Sequence, residues 1–302
     1  MKIDIKRIEE ILGFEIPLES KKQYEEFDLT YENLTESEFM DYLTDVVKVL
    51  MSDITKSGSH RFEEWENGWE GNLNSFVETE NVLDLIPKYH SKRSYVRWDG
   101  NIIKPNNKKF DYLIHTIFVD SILQKYCENV ANVFEFGCGS GYHLIRNSEK
   151  YKNKQFYGLD WTVASQNILK TSNEKLGNNI IAKNFNFFEP DRDITIPRNS
   201  AVYTVAALEQ VGENFKTFVD YLIEQSPDIC IHFEPIDELL DSSNLLDSLS
   251  IHYFRKRNYL KGFLPYLEKL ESEGKIEILK KQRIYSGSYF IEGHSLIMWR
   301  AK

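Results

Sequence analysis

The run ANVFEFGCGSG, Ala131 to Gly141, passes from an apolar strand into three alternating glycines. Glycine permits the tight turn and the close approach to a ligand that a Cβ obstructs. A helix beginning near Tyr142 would offer unpaired N–H groups at its first turn. A dinucleotide fingerprint has the spacing GxGxxG, and its third glycine falls here on Tyr142. A nicotinamide oxidoreductase is therefore disfavoured.

Outward from this run, short apolar stretches alternate with helical patterns. ANVFEF, KQFYGLD, NIIAKNF, SAVYTVAAL and DICIHFEP read as five strands of a mainly parallel, helix-covered sheet, an α/β arrangement. YLKGFLPYLEKLESEG reads as a helix ending at Gly274, and KIEILKKQRI and HSLIMWRA as two further strands paired near the sheet edge. Upstream, FDYLIHTIFVDSILQKYC fits a helix with an apolar face of Leu113, Ile117, Val119 and Leu123. Residues 1–105 read as a mainly helical cap for substrate recognition, and residues 106–302 as the core. In the cap, Leu43, Val46, Val47 and Leu50 recur at helical spacing, as do Leu73, Phe76, Val77 and Leu83, while SGSHRFEEWENGWEGN between them reads as an irregular loop.

The pattern ExGxGxG from Glu135 to Gly141 resembles the first motif of class I S-adenosylmethionine-dependent methyltransferases. The resemblance implies a Rossmann-like seven-stranded fold and S-adenosylmethionine as cofactor, with Glu135, Gly137, Gly139 and Gly141 wrapping its amino-acid end and sugar side. Asp160 ends the second strand, 25 residues after Glu135. An acid there can accept from both ribose hydroxyls; capping the helix that follows at Thr162 is its ordinary alternative. Asn186, within NFNFFEP, stands where the family often has an acid near the adenine amino group. It offers a carbonyl oxygen but no charge. Glu209 and Gln210 follow the fourth strand, where the resemblance puts the transferable methyl and the acceptor, and are candidates for positioning the substrate; a Glu209 that only caps or pairs at the rim of the sheet is the competing reading.

Methyl transfer needs an acceptor electron pair in line with the methyl group, and a hydroxyl acceptor must also lose its proton. Candidate bases are His232, Glu234, His252 and His294, and Glu209 joins His232 and His252 among the candidate catalytic residues. His232 and Glu234 are alternate residues of one strand, so Glu234 could orient the imidazole; a satisfied core histidine is the competing reading. Arg255, with Lys256, Arg257 and Lys261, forms a basic patch able to bind an anionic substrate group, or simply a solvated helix face. Tyr95, Arg97 and Trp98 could line an acceptor cleft or merely pack the cap. HxE alone completes no metal site, which favours metal independence.

The chain has 302 residues, with 47 acidic side chains against 37 Lys and Arg and a formal net charge of -10. That balance argues against nonspecific binding to duplex nucleic acid or an anionic membrane. Cys127, Cys138 and Cys230 have neither disulfide nor zinc spacing and fit a reducing, cytoplasmic setting. No apolar run reaches the length of a membrane span, and the first residues lack a secretory h-region. The expected activity is O-methylation of a small metabolite, a sugar or glycoside among the candidates. N-methylation and a noncatalytic binding module of the same fold stand as alternatives, and homo-oligomerisation is left open.

Overall fold

The computed structural model describes residues 1–291 and 294–302. In chain order its helices are α1 (Ile5–Leu12), α2 (Leu18–Glu26), α3 (Glu36–Met51), α4 (Phe62–Thr79), α5 (Phe110–Tyr126), α6 (Tyr142–Lys150), α7 (Val163–Leu176), α8 (Lys216–Gln225), α9 (Leu245–Arg257) and α10 (Phe263–Ser272). Its strands are β1 (Tyr31–Asn33), β2 (Val96–Trp98), β3 (Asn101–Pro105), β4 (Asn132–Phe136), β5 (Gln155–Asp160), β6 (Ile180–Asn184), β7 (Ser200–Val205), β8 (Ile229–Glu234), β9 (Ile276–Arg283), β10 (Ser286–Gly287) and β11 (Ser295–Ala301).

Seven strands form one sheet in the order β6-β5-β4-β7-β8-β11-β9. The pairings among β6, β5, β4, β7 and β8 are all parallel. The last strand, β11, runs antiparallel between β8 and β9. Alternate residues of each strand feed opposite faces. On one face Val133, Ala201, Ile231 and Leu296 meet α5, α6 and α7. On the other, Phe134, Val202, Cys230 and Trp299 meet α8 and α10. The chain leaves β4 for β5 on one side and later returns to β7 on the other, so a crevice opens at the carboxyl ends of these strands, where open α/β sheets bind ligands.

The first 105 residues depart from the helical expectation in two places. Three short strands there join β10, from the far end of the chain, in an antiparallel sheet ordered β1-β3-β2-β10. Segments of three to five residues carry too little periodicity to be read as strands. The stretch expected to be a loop is largely α4. Glu63 and Glu64 in its first turn suit the helix dipole, and Trp65, Trp69, Asn72 and Phe76 recur on one face. Ile8 and Leu12 of α1 share a hydrophobic cluster with Ile114 and Phe118 of α5, so the first 105 residues and the sheet close over a common core. Among the described residues no helix is long and apolar enough to cross a membrane.

Candidate functional site

A cavity of about 670 Å³ lies over the carboxyl ends of β4, β5 and β7 and is roofed by α4, the segment 87–96 and the loop 286–291. Ligand pockets are typically roughly 300–1,000 Å³. Its floor is the glycine turn. Gly137 has φ +70° and Gly139 φ +52°, backbone that a side chain rarely adopts. A Cβ on Gly137 would stand 2.5 Å from Ala207 Cβ, and one on Gly139 2.7 Å from the Trp69 ring. Gly141 is not among the lining residues. It caps α6 with φ +69°, and a Cβ there would meet Leu169.

Asp160 is buried at the end of β5 and holds the floor together. Its Oδ2 accepts from Gly139 N at 3.0 Å, and its Oδ1 from Thr162 N and Oγ1 at 2.9 and 2.7 Å. Burial raises its carboxyl above the usual range, against these hydrogen bonds. Oδ1 takes two of these bonds and Oδ2 one, so Oδ2 has the more room for a ligand. The N-cap of α7 is Thr162 itself, and Asp160 holds that residue rather than capping the helix. Glu135 is buried below the turn and accepts from Tyr203 OH at 2.7 Å. Burial pushes it up to about 8, with Asp160 adding to the rise. Asn186 lines the cavity, and its Oδ1 accepts from Phe188 N at 3.0 Å, so the oxygen expected near a ligand also closes a turn.

At the end of β7 the backbone turns sharply through Ala206, φ +50°. Glu234, fully buried on β8, secures this turn: its Oε1 accepts from Ala207 N at 3.1 Å and its Oε2 from Glu209 N at 3.3 Å. Glu209 is thereby set in the cavity wall, 7% exposed. Gln210 Nε2 donates to Glu209 Oε1 at 2.8 Å, and Gln210 Oε1 in turn accepts from Arg61 at 2.9 Å. Glu209 Oε2 is buried and has no hydrogen-bond partner. Burial and the neighbouring Glu234 push Glu209 up to about 8, near neutrality, where a carboxylate is an effective general base.

Four residues expected at the site lie elsewhere, and Glu234 acts from behind it. His232 is fully buried between β7 and β11. Its Nε2 accepts from Trp299 Nε1 at 2.9 Å, and a neutral ring then donates from Nδ1 to Thr204 Oγ1 at 3.0 Å. Both nitrogens are used, so Glu234 neither orients this ring nor leaves it a free nitrogen; burial lowers the imidazole to about 3. Arg97 is a core cation, 1% exposed, donating to Leu246 O and Tyr42 OH at 2.8 and 2.9 Å. His252 and Arg255 are exposed on α9, whereas Tyr253 and Arg257, four residues apart on another face, line the cavity. Tyr95, Gln210 and His294 line it as expected.

The sequence reading missed a second wall. His90, Asp111, Tyr112, His115 and His143 line the cavity together with His294. His115 lies in a helix buried on nearly every side, and His143 follows the glycine turn by two residues, the one local signal available. Trp161 was also missed; it follows Asp160 directly and packs edge-on to Phe62 of α4 at 5.4 Å. Among the described residues no group of three or more His, Cys, Asp or Glu is arranged to hold a metal ion.

The strand order with one antiparallel β11, and the glycine turn at the point where that order reverses, are those of the Rossmann-like seven-stranded methyltransferase fold. The chain is similar to the solved structure of the [4+2]-cyclase SpnF, with TM-score 0.52 and 12% identity over 82% of this chain and 97% of that one. It is also similar to the methyltransferase domain of the bacterial protein CtHen1 (TM-score 0.44, 16% identity, 62% and 97% of the chains). A putative sarcosine dimethylglycine methyltransferase from Galdieria sulphuraria is a further match (TM-score 0.45, 15% identity, 59% and 65%). At such identities the likeness is one of fold. No family model matches the sequence, and no curated protein matches it.

Proposed function

We propose that this protein is an S-adenosylmethionine-dependent methyltransferase acting on a hydroxyl of a small metabolite, with sugars and glycosides the first class to test. One observation carries the reading: the glycine turn, Asp160 and a buried carboxyl with an unpartnered oxygen, Glu209 Oε2, line one cavity.

The residues present fit the cofactor. Glu135 and Asp160 are buried acids held above their usual range, and a ligand carrying a sulfonium and an ammonium supplies the positive charge that favours their ionised forms. A dinucleotide would instead bring phosphates toward two buried acids. Gly137 and Gly139 would hold the cofactor against the turn, Asp160 Oδ2 would take a ribose hydroxyl, and Trp161 and Asn186 would flank the base. Bound there, S-adenosylmethionine supplies a methyl group on an electron-poor sulfur.

The remaining work belongs to the chain's own residues. Glu234 fixes the backbone of Ala207 and Glu209, Gln210 occupies Glu209 Oε1, and Glu209 Oε2 accepts the proton of the acceptor hydroxyl. A second reading, N-methylation, draws on the tyrosines Tyr89, Tyr253 and Tyr259, which lie near enough to Glu209 to feel its charge and suit an amine that binds as a cation and gives its proton to Glu209 before its lone pair takes the methyl.

Incubation with methyl-labelled S-adenosylmethionine and panels of sugars, glycosides and amines tests both readings. Label on a hydroxyl oxygen supports the proposal. Label confined to amines supports the second reading, and cofactor binding with no transfer to any panel counts against both.

A further inference from the structure

The histidine wall has no part in the chemistry above. His90 comes from the segment before β2, Asp111 and His115 from α5, His143 from the first turn of α6 and His294 from the entry to β11. The His115 and His294 ring centroids are 4.5 Å apart, and those of His115 and His143 6.0 Å. His90 Nδ1 faces Asp111 Oδ2 at 2.8 Å. In a neutral ring that contact puts the proton on Nδ1 and the lone pair on Nε2. Deeper in the wall, His115 Nε2 and both ring nitrogens of His143 are buried without a hydrogen-bond partner, in residues 6% and 3% exposed. Buried polar atoms are rarely left unmet, and these belong to side chains lining a cavity large enough for a ligand.

We propose that this wall is the acceptor-binding face of the cavity and that it takes an uncharged, hydroxyl-bearing group such as a sugar ring. The inference rests on the hydroxyl-acceptor reading of the same cavity. A neutral imidazole presents one N–H and one lone pair, and a hydroxyl likewise both donates and accepts. Neighbouring neutral rings therefore match neighbouring hydroxyls. An ammonium offers donors only, and a carboxylate or phosphate acceptors only, so either would leave half of the ring nitrogens unmet. Burial also opposes the protonated rings that an anion would call for: it holds His115 well below the ordinary histidine range and His143 at about 4. Tyr112, stacked on His143 at 5.2 Å, and Phe233, edge-on to His115 at 4.9 Å, fix the two rings in place.

The test is nitrogen NMR of histidine-labelled protein saturated with S-adenosylmethionine. The neutral probes are the methyl glycosides of glucose, galactose, mannose and rhamnose; the charged ones are acetate, inorganic phosphate and methylammonium. At least one glycoside is expected to shift the His115 and His143 resonances saturably while both rings stay neutral. His143→Phe, which keeps a ring in place, is expected to weaken that glycoside about tenfold or more as read at His115, the loss of a buried hydrogen-bonding partner. His115→Phe, read at His143, serves if the first variant does not fold. Resonances unmoved by every glycoside up to its solubility limit, or moved only by a charged probe, would overturn the inference. So would an undiminished glycoside affinity in both folded variants. Glycoside shifts without methyl transfer leave this inference standing and count against the activity. Transfer to a hydroxyl compound that leaves both resonances unmoved overturns this inference alone.

Discussion

Glu209 and His232 show how burial gives two titratable side chains opposite fates. Glu209 keeps one oxygen unpartnered in a cavity wall, and burial moves it to about 8. Only its ionised form can accept a proton, so turnover is expected to rise with pH up to about 8 and then level off. Glu209→Gln should remove that rise and lower kcat by about 10²–10⁴-fold, the usual span for a general base. A pH–rate profile of the variant that keeps the wild-type shape would contradict the assignment. His232 has both nitrogens satisfied inside the sheet. Its folded value, about 3, lies below the roughly 6.5 of an unfolded histidine, so its contribution to stability is present above pH 6.5 and is lost as pH falls toward 3. His232→Leu leaves Trp299 Nε1 without a partner and should cost about 1–3 kcal/mol at pH 7 in denaturant unfolding. An unchanged unfolding midpoint would show that these bonds contribute nothing. Sequence spacing could nominate both residues but not separate them, because the partners that decide, Trp299 and Gln210, come from contacts outside the His232–Glu234 pattern.

The glycine turn works as an element because two others close on it. Trp69 of α4 packs over Gly139, and Glu66 of α4 accepts from Val163 N and Ala164 N at 2.8 and 2.9 Å, capping α7. Gly139→Ala must therefore either displace α4 or open the turn, and it meets φ +52° as well. It should weaken S-adenosylmethionine binding by about tenfold or more, on a strain of roughly 1–3 kcal/mol. Calorimetry giving wild-type affinity would mean that the turn does not form the binding floor. The core elements were legible in the sequence: each of the seven sheet strands coincides with a stretch expected to be a strand, six of them apolar runs and β9 a mixed one. The small sheet β1-β3-β2-β10 was not, because its strands are short and β10 arrives from 188 residues beyond β2. The helix α4 was also hidden. Gly68 and Gly71 read as loop formers, yet neither has a backbone conformation that needs glycine, and a run of apolar contacts on the other face holds the helix.

Across the whole molecule, the cavity is where chain segments far apart in sequence converge. Its floor comes from the ends of β4, β5 and β7, its roof from the first hundred residues and residues 286–291, and its remaining walls from α5, α6, α9 and His294. The motif ExGxGxG and Asp160 identified the floor because they are local. The histidine wall was illegible because His90, Asp111, His143 and His294 meet only after the sheet has ordered. The fold alone does not set the reaction, since the chain's likeness extends to a protein described as a [4+2]-cyclase. The proposed role of the glycine turn and Asp160 is narrower: to hold S-adenosylmethionine. Isothermal titration calorimetry of the wild-type protein and of Asp160→Ala, with NAD as the comparison ligand, tests that role. Saturable, selective binding of S-adenosylmethionine is expected, weakened by Asp160→Ala by about 10- to 100-fold, the loss of a hydrogen bond to a charged group. A folded wild-type protein that binds no S-adenosylmethionine, or an Asp160→Ala variant that binds it as tightly, would contradict that role.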